Sequence, residues 1–256
     1  MLSVFLHLFR KDFTIFLRDY KSKFYDTLSL FATNILVFGY LMPGEGLSAD
    51  YGPFLLVAAI GSFGLIEIVG KLGLFLSDLE GEKSISQLLI MPVRSFGLFI
   101  YMALFWAISS MLLAVVLFPC GKLLLWKQWD LTLISYARLV LSFLAGNLFF
   151  GAFALWLASL IPSISSLNTI WLRYIAPLWM FGTYFFSWHT AYEAHPLVGL
   201  CLLINPIVYV IESMRSAALG PSAYLPYWLS ILAMISFTIA CMWHAIRRLK
   251  RRLDCI

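Results

Sequence analysis

Four ionisable residues stand inside otherwise apolar stretches of the chain. Glu67 and Lys71 are four apart, and Glu212 and Arg215 are three apart. Both spacings put the partners on one helical face, and Glu67 precedes Lys71 in the favourable acid-first order. A charge within a membrane-crossing helix is costly, so each is a candidate for a pathway or proton-carrying role. Each pair also admits a structural reading, in which the partners neutralise each other and the long Lys71 stem snorkels toward the boundary. Asn205 before Pro206 reads as a helix N-cap followed by proline at the first helical position. Aromatic residues crowd the stretch before it: Trp179, Phe181, Tyr184, Phe185, Phe186, Trp188 and Tyr192. Such residues form interfacial belts, and their faces also stack on sugars, lipids or flat amphiphiles.

A second kind of signal lies between Asp78 and Pro92. Asp78, Glu80 and Glu82 precede a short run in which Ser84 and Gln87 have capping-box spacing and Pro92 stops the helix. Ile85, Leu88 and Leu89 fall on one face of that run. It is either a tight turn or a docking knob, since an apolar face in water needs cover.

Other chemistries are excluded. His189 and His195 are six apart, which is neither HxxxH nor HExxH spacing, so no metal site is expected. Gly70-Lys71 and Gly121-Lys122 lack the glycine loop and the following Ser or Thr of a phosphate-binding loop. Cys120, Cys201, Cys241 and Cys255 are scattered, with neither zinc-ligand nor disulfide spacing.

The elements that must carry these residues are membrane helices. The chain is 62% hydrophobic and only 12% charged, with a mean hydropathy of +0.89. Ordinary soluble chains hold about 45–50% apolar and about 25% charged residues. A helix needs about 20 apolar residues to span the hydrocarbon core. Six stretches qualify, at residues 25–42, 52–76, 95–118, 137–161, 171–188 and 225–245. Residues 1–24 carry Phe5, Leu8, Phe9, Phe13, Phe16 and Leu17 at helical spacing with Arg10, Lys11, Arg18, Lys21 and Lys23 between them. That pattern predicts an amphipathic interfacial helix. Residues 197–219 are apolar but broken by Pro206, too short to cross, and are expected as outer re-entrant helices. The basic residues are lopsided. Of the 18, only Lys122, Lys127, Arg138 and Arg215 fall on one side, which puts both termini in the cytoplasm. The excess of positive charge therefore reads as orientation, with no nucleic-acid partner. The whole of 1–256 forms one all-α domain.

Residues 81–94 resemble the coupling-helix region of type-2 ABC transporter permeases, the six-span membrane subunits that pair with a separate ATPase. Residues 177–186 are similar to that family's fifth span and 205–215 to its outer re-entrant helix. The resemblance covers nearly the whole chain in layout. It implies a permease subunit of an ATP-driven exporter in a bacterial cytoplasmic membrane. Such a subunit is not itself an enzyme and holds no cofactor, with ATP and magnesium on the partner ATPase. It also implies a homodimer within a two-plus-two complex. Its cargo class is a lipid-linked glycan, a lipid or an amphiphilic compound. Glu82, Ser84, Ile85, Gln87, Leu88, Leu89 and Pro92 would dock the ATPase. Glu67, Lys71, Trp179, Tyr184, Phe185, Glu212 and Arg215 would line or gate the path. Two other classes stay open: an ion-coupled secondary carrier, for which Glu67 is the one serious candidate, and a non-transporting assembly factor.

Overall fold

A computed structural model describes residues 2–46, 48, 50–81, 95–221 and 223–253, and these are helical with no strand among them. The expected docking helix, 81–92, lies outside the described residues from Glu82 onward. In chain order the helices are α1 (Leu2–Leu36), α2 (Tyr51–Glu80), α3 (Ser95–Ala114), α4 (Leu117–Leu124) and α5 (Tyr136–Leu160). After them come the short α6 (Leu167–Ile170), α7 (Ala176–Trp179), α8 (Trp188–Ala194) and α9 (Pro196–Leu202), then α10 (Pro206–Ala218) and α11 (Tyr227–Leu253). Among the described residues, five stretches are long and apolar enough to cross a membrane: Val4–Glu45, Tyr51–Glu80, Ser95–Leu124, Tyr136–Leu160 and Tyr227–Leu253. The bent pair α9 and α10 makes a sixth if it is counted as one span.

Two details differ in form from the expected layout. At the first, the helix is not broken near residue 24. No glycine or proline interrupts residues 2–38, so α1 runs on as one helix of 35 residues. At 1.5 Å per residue that is about 52 Å, well beyond the roughly 30 Å of hydrocarbon.

The second concerns residues 171–188, which are not among the five long stretches. Residues 167–184 are helical throughout, but π turns at Trp171–Ile175 and Met180–Tyr184 interrupt the α-geometry. Pro177 lacks an N–H and crowds the preceding turn, so the widened turn before it absorbs the misfit. The second π turn is kinked at Gly182 (φ −77°, ψ 19°) and Thr183 (φ 64°, ψ 25°). Left-handed backbone at a β-branched residue is unfavourable and persists only where neighbours hold it.

The core sits around α2, α5 and α10. Between α3 and α5 the backbones approach at Gly151, where a Cβ would collide with the Ala103 carbonyl and lie 3.0 Å from the Ala107 methyl. Small residues permit such contact where no hydrophobic force draws helices together in lipid. The helix ends segregate as alternating crossings require. At one end Glu80 accepts from Ile164 N (2.8 Å), and Arg248 and Arg252 donate to carbonyls of residues 158–162. At the other, Gln128 donates to Gly39 O (3.0 Å), Ser135 N to Ala217 O (2.9 Å) and Tyr227 to Arg138 O (2.8 Å).

Candidate functional site

Three of the residues singled out from the sequence meet in one groove. Glu67 of α2, Trp179 of α7 and Tyr184 of the kinked turn line a cavity of about 230 Å³ between α1, α2 and the broken helix 167–184. Asp26, Thr27 and Asn34 of α1 complete its polar lining, with Leu30, Phe31, Ala59, Phe63 and Ile66 as its apolar wall. Tyr184 is buried and Trp179 half-buried, so both rings pack against protein. Their rings lie 4.6 Å apart, and Phe185 packs on both at 5.9 and 4.8 Å. The Trp179 indole Nε1 is buried with no hydrogen-bond partner among the described residues, and an unpaired buried donor asks for an acceptor. Sequence reasoning missed the α1 residues. Thr27 and Asn34 are seven apart, hence on one face, and that spacing was the available signal.

Glu212 and Arg215 pair at 3.6 Å with both side chains at 0% exposure. Arg215 donates to four backbone carbonyls, those of Thr183 (2.6 Å), Tyr184 (2.7 Å), Phe186 (3.0 Å) and Phe54 (3.4 Å). Its guanidinium lies 3.3 Å from the centre of the Phe54 ring. Glu212 accepts from Trp188 N (3.1 Å) and Leu225 N (3.2 Å). Every polar atom of the pair is thus engaged with backbone, the condition under which a buried ion pair is tolerated. Nearby in the loop before α11, burial pushes the Tyr224 hydroxyl up, and Arg215 opposes the shift. The pair clamps the end of the broken helix onto α10. It neither lines the groove nor touches Glu67.

The clamp works because α10 is positioned from its first turn. Asn205 caps it, accepting from Ile207 N (3.1 Å), while its amide donates to Leu178 O (2.6 Å). Gly182 makes room for this approach, since a Cβ there would lie 2.6 Å from Ile207. The axis bends by 99° between α9 and α10. The start of α10 therefore reaches the level of Leu178, while its end meets Ser135.

Lys71 does not pair with Glu67. Its ammonium turns to α3, donating to Trp106 O (2.6 Å) and to the Ser110 hydroxyl. It borders a second cavity of about 290 Å³ between α1, α2 and α3. The structure thus brings Glu67, Trp179, Tyr184 and Phe185 together, holds Glu212 and Arg215 beside them, and puts Lys71 elsewhere. Among the described residues no group of three or more His, Cys, Asp or Glu side chains is arranged to hold a metal. Compared with protein-family models, with curated proteins and with solved structures, the chain gives no match in any of the three.

Proposed function

We propose that the chain is the membrane-spanning permease subunit of an ATP-driven exporter whose cargo is a lipid-linked glycan, a lipid or an amphiphilic compound. One observation carries the transport half of this reading. A groove has Asp26, Thr27, Asn34 and Glu67 on α1 and α2, both in stretches of spanning length, and Trp179 and Tyr184 on the broken helix that faces them. Polar groups inside such helices are costly and mark paths, and aromatic faces bind sugar rings and lipid without charge. The energetic half rests on the resemblance of residues 81–94 to a coupling helix. In this reading the end with Glu80 and the basic C-terminal turn faces the cytoplasm, as the distribution of lysine and arginine favours. The 99° bend and the burial of α10 fit a re-entrant hairpin on the opposite side, because non-spanning backbone at membrane depth must be buried in protein. Two copies form the conduit and two ATPase subunits dock from the cytoplasm.

Changing Leu88 and Leu89 together to Asp tests the reading. The ATPase should then be lost on co-purification, with membrane insertion and yield unchanged. Undiminished recovery of an ATPase, or no ATPase with the unaltered chain, overturns it.

A further inference from the structure

The groove between α1, α2 and the broken helix 167–184 carries negative charge that nothing in its lining balances. Asp26 and Glu67 stand in it, and among the described residues its lining holds no lysine, arginine or histidine. Neither carboxylate has a hydrogen-bond or ion-pair partner among the described residues. Lys71, the cation nearest Glu67 along α2, has turned to Trp106 O and Ser110, and Arg215 is matched by Glu212. The other polar groups of the groove add acceptors. Asn34 donates its amide N–H to Leu30 O (2.9 Å), which leaves its side-chain oxygen unpaired. A carboxylate inside a spanning helix without a counter-charge is costly, and a ligand cation would complete the site.

Charge and apolar surface are ordered along the helices. The chain just past α1 meets the start of α2 where a Cβ on Gly52 would lie 3.1 Å from Gly39 Cα. At 1.5 Å per residue, Asp26 lies about 20 Å from that point and Glu67 about 22 Å, so the two carboxylates share one level. Phe31 and Phe63, one on each helix, lie about 6–8 Å nearer to it. Glu80 ends α2 on the far side of Glu67. The carboxylates therefore mark the Glu80 end of the groove, with Phe31 and Phe63 beyond them. Trp179 and Tyr184 supply the facing wall, and such rings attract cations as well as apolar surface.

We propose that this groove binds an amphiphilic organic cation. Its charged nitrogen lies at the level of Asp26 and Glu67, and its apolar body lies against Phe31, Phe63 and the Trp179–Tyr184 wall. An anion is disfavoured, because two carboxylates repel it and no cation in the lining holds it. Of the cargo classes named above, this selects a cationic amphiphilic compound over a phosphate-bearing lipid-linked glycan or an anionic lipid. Calling the ligand a cargo rests on the export reading; its binding does not. In that reading the Glu80 end faces the cytoplasm. A cationic amphiphile in the cytoplasmic leaflet has the same order, with its charge toward the water and its body toward the bilayer centre.

Equilibrium dialysis of the full chain in nanodiscs of zwitterionic lipid, corrected against empty discs, tests the binding. Three probes share one body and differ in charge: para-butylbenzylamine, para-butylbenzyl alcohol and para-butylbenzoate. The amine should bind about tenfold more tightly than the alcohol, a ratio that corresponds to 1.4 kcal/mol, and the benzoate more weakly than either. Asp26→Asn and Glu67→Gln should each weaken the amine about threefold and together bring it to the level of the alcohol. Both changes are isosteric at groups that make no hydrogen bond, so the variants should melt with the parent, and the ranking of the three probes needs no variant at all. Equal binding of amine and alcohol, tighter binding of the benzoate, or undiminished amine binding in the folded double variant overturns the proposal. Stimulation of the co-purified ATPase by the amine and not by the benzoate supports the ligand as cargo. Selective binding without stimulation keeps the site and overturns its use in export.

Discussion

Replacing Arg215 by Met separates a clamp from a transport residue. The substitution keeps an unbranched, flexible side chain but removes the donors that serve the carbonyls of Thr183, Tyr184, Phe186 and Phe54. It also strands the Glu212 carboxylate at 0% exposure with neutral partners, Trp188 N and Leu225 N among them. Removing one member of a buried pair costs about 3–5 kcal/mol, most of it the penalty of the charge left behind. For a chain of this size each kcal/mol moves the midpoint by about 2–4 °C, so melting should fall by roughly 6–20 °C. The assay is thermal unfolding of the detergent-solubilised protein, followed by size-exclusion recovery after heating. Adding Glu212→Gln to Arg215→Met should recover about 1–3 kcal/mol of the loss, because the stranded charge is then gone. Arg215→Lys should fall between, since an ammonium cannot reach four carbonyls or stack flat on Phe54. A variant that melts within about 2 °C of the parent yet no longer transports would refute the clamp and return Arg215 to the pathway.

Other outcomes follow from the same geometry. Glu67→Gln should leave transport insensitive to an imposed proton gradient and alter its rate only a few-fold; abolished transport with an intact fold would favour the ion-coupled reading. Trp179→Ala should raise the cargo concentration needed for half-maximal ATPase stimulation, with yield unchanged, because the groove loses its stacking face and its unpaired indole N–H. Gly151→Leu should lower the yield of folded protein sharply, since its side chain must displace the Ala103 backbone and overpacking alone costs about 1–3 kcal/mol; normal yield and melting would contradict the close α3–α5 approach.

What the sequence could convey depended on whether a signal was local. Long apolar runs bounded by glycine, proline or charge gave α2, α3 and α5 to within about four residues at each end, whereas α11 runs eight residues past the expected 245, to Leu253; the Asn205-Pro206 cap was legible as written. The end of the interfacial segment was not, because an amphipathic and an apolar stretch can share one helix when no breaker divides them. Pro177 advertised a disturbance but not its form, which depends on what the widened turns pack against. Pairing at i, i+3 held for Glu212 and Arg215, since both are enclosed by the same surroundings. At i, i+4 it failed for Lys71, whose long stem found Trp106 O and Ser110 on a neighbouring helix. Which helix stands beside a residue is a tertiary fact that spacing alone does not contain. The α1 face of the groove was hidden for the same reason: Thr27 and Asn34 matter only once α2 and the broken helix lie against them.

The clamp also explains why the groove has the wall it has. Thr183 adopts a left-handed backbone that a β-branched residue avoids, and this turn sends Tyr184 inward beside Trp179 instead of outward to lipid. Three features then hold that buried turn in place. The Thr183, Tyr184 and Phe186 carbonyls, freed from helical bonding by the kink, all end on the Arg215 guanidinium. The Phe185 carbonyl between them accepts from the Tyr51 hydroxyl of α2 (2.7 Å). Glu212 balances the charge that this arrangement buries. Glu212 and Arg215, two of the residues that sequence alone marked as possible path groups, are on this geometry what aims the aromatic wall at Glu67. A motion that moved α10 relative to α2 would therefore loosen the wall as a unit, and spin labels on Phe181 and Tyr25, both exposed flanks of the groove elements, should change separation in Arg215→Met but not in Trp179→Ala.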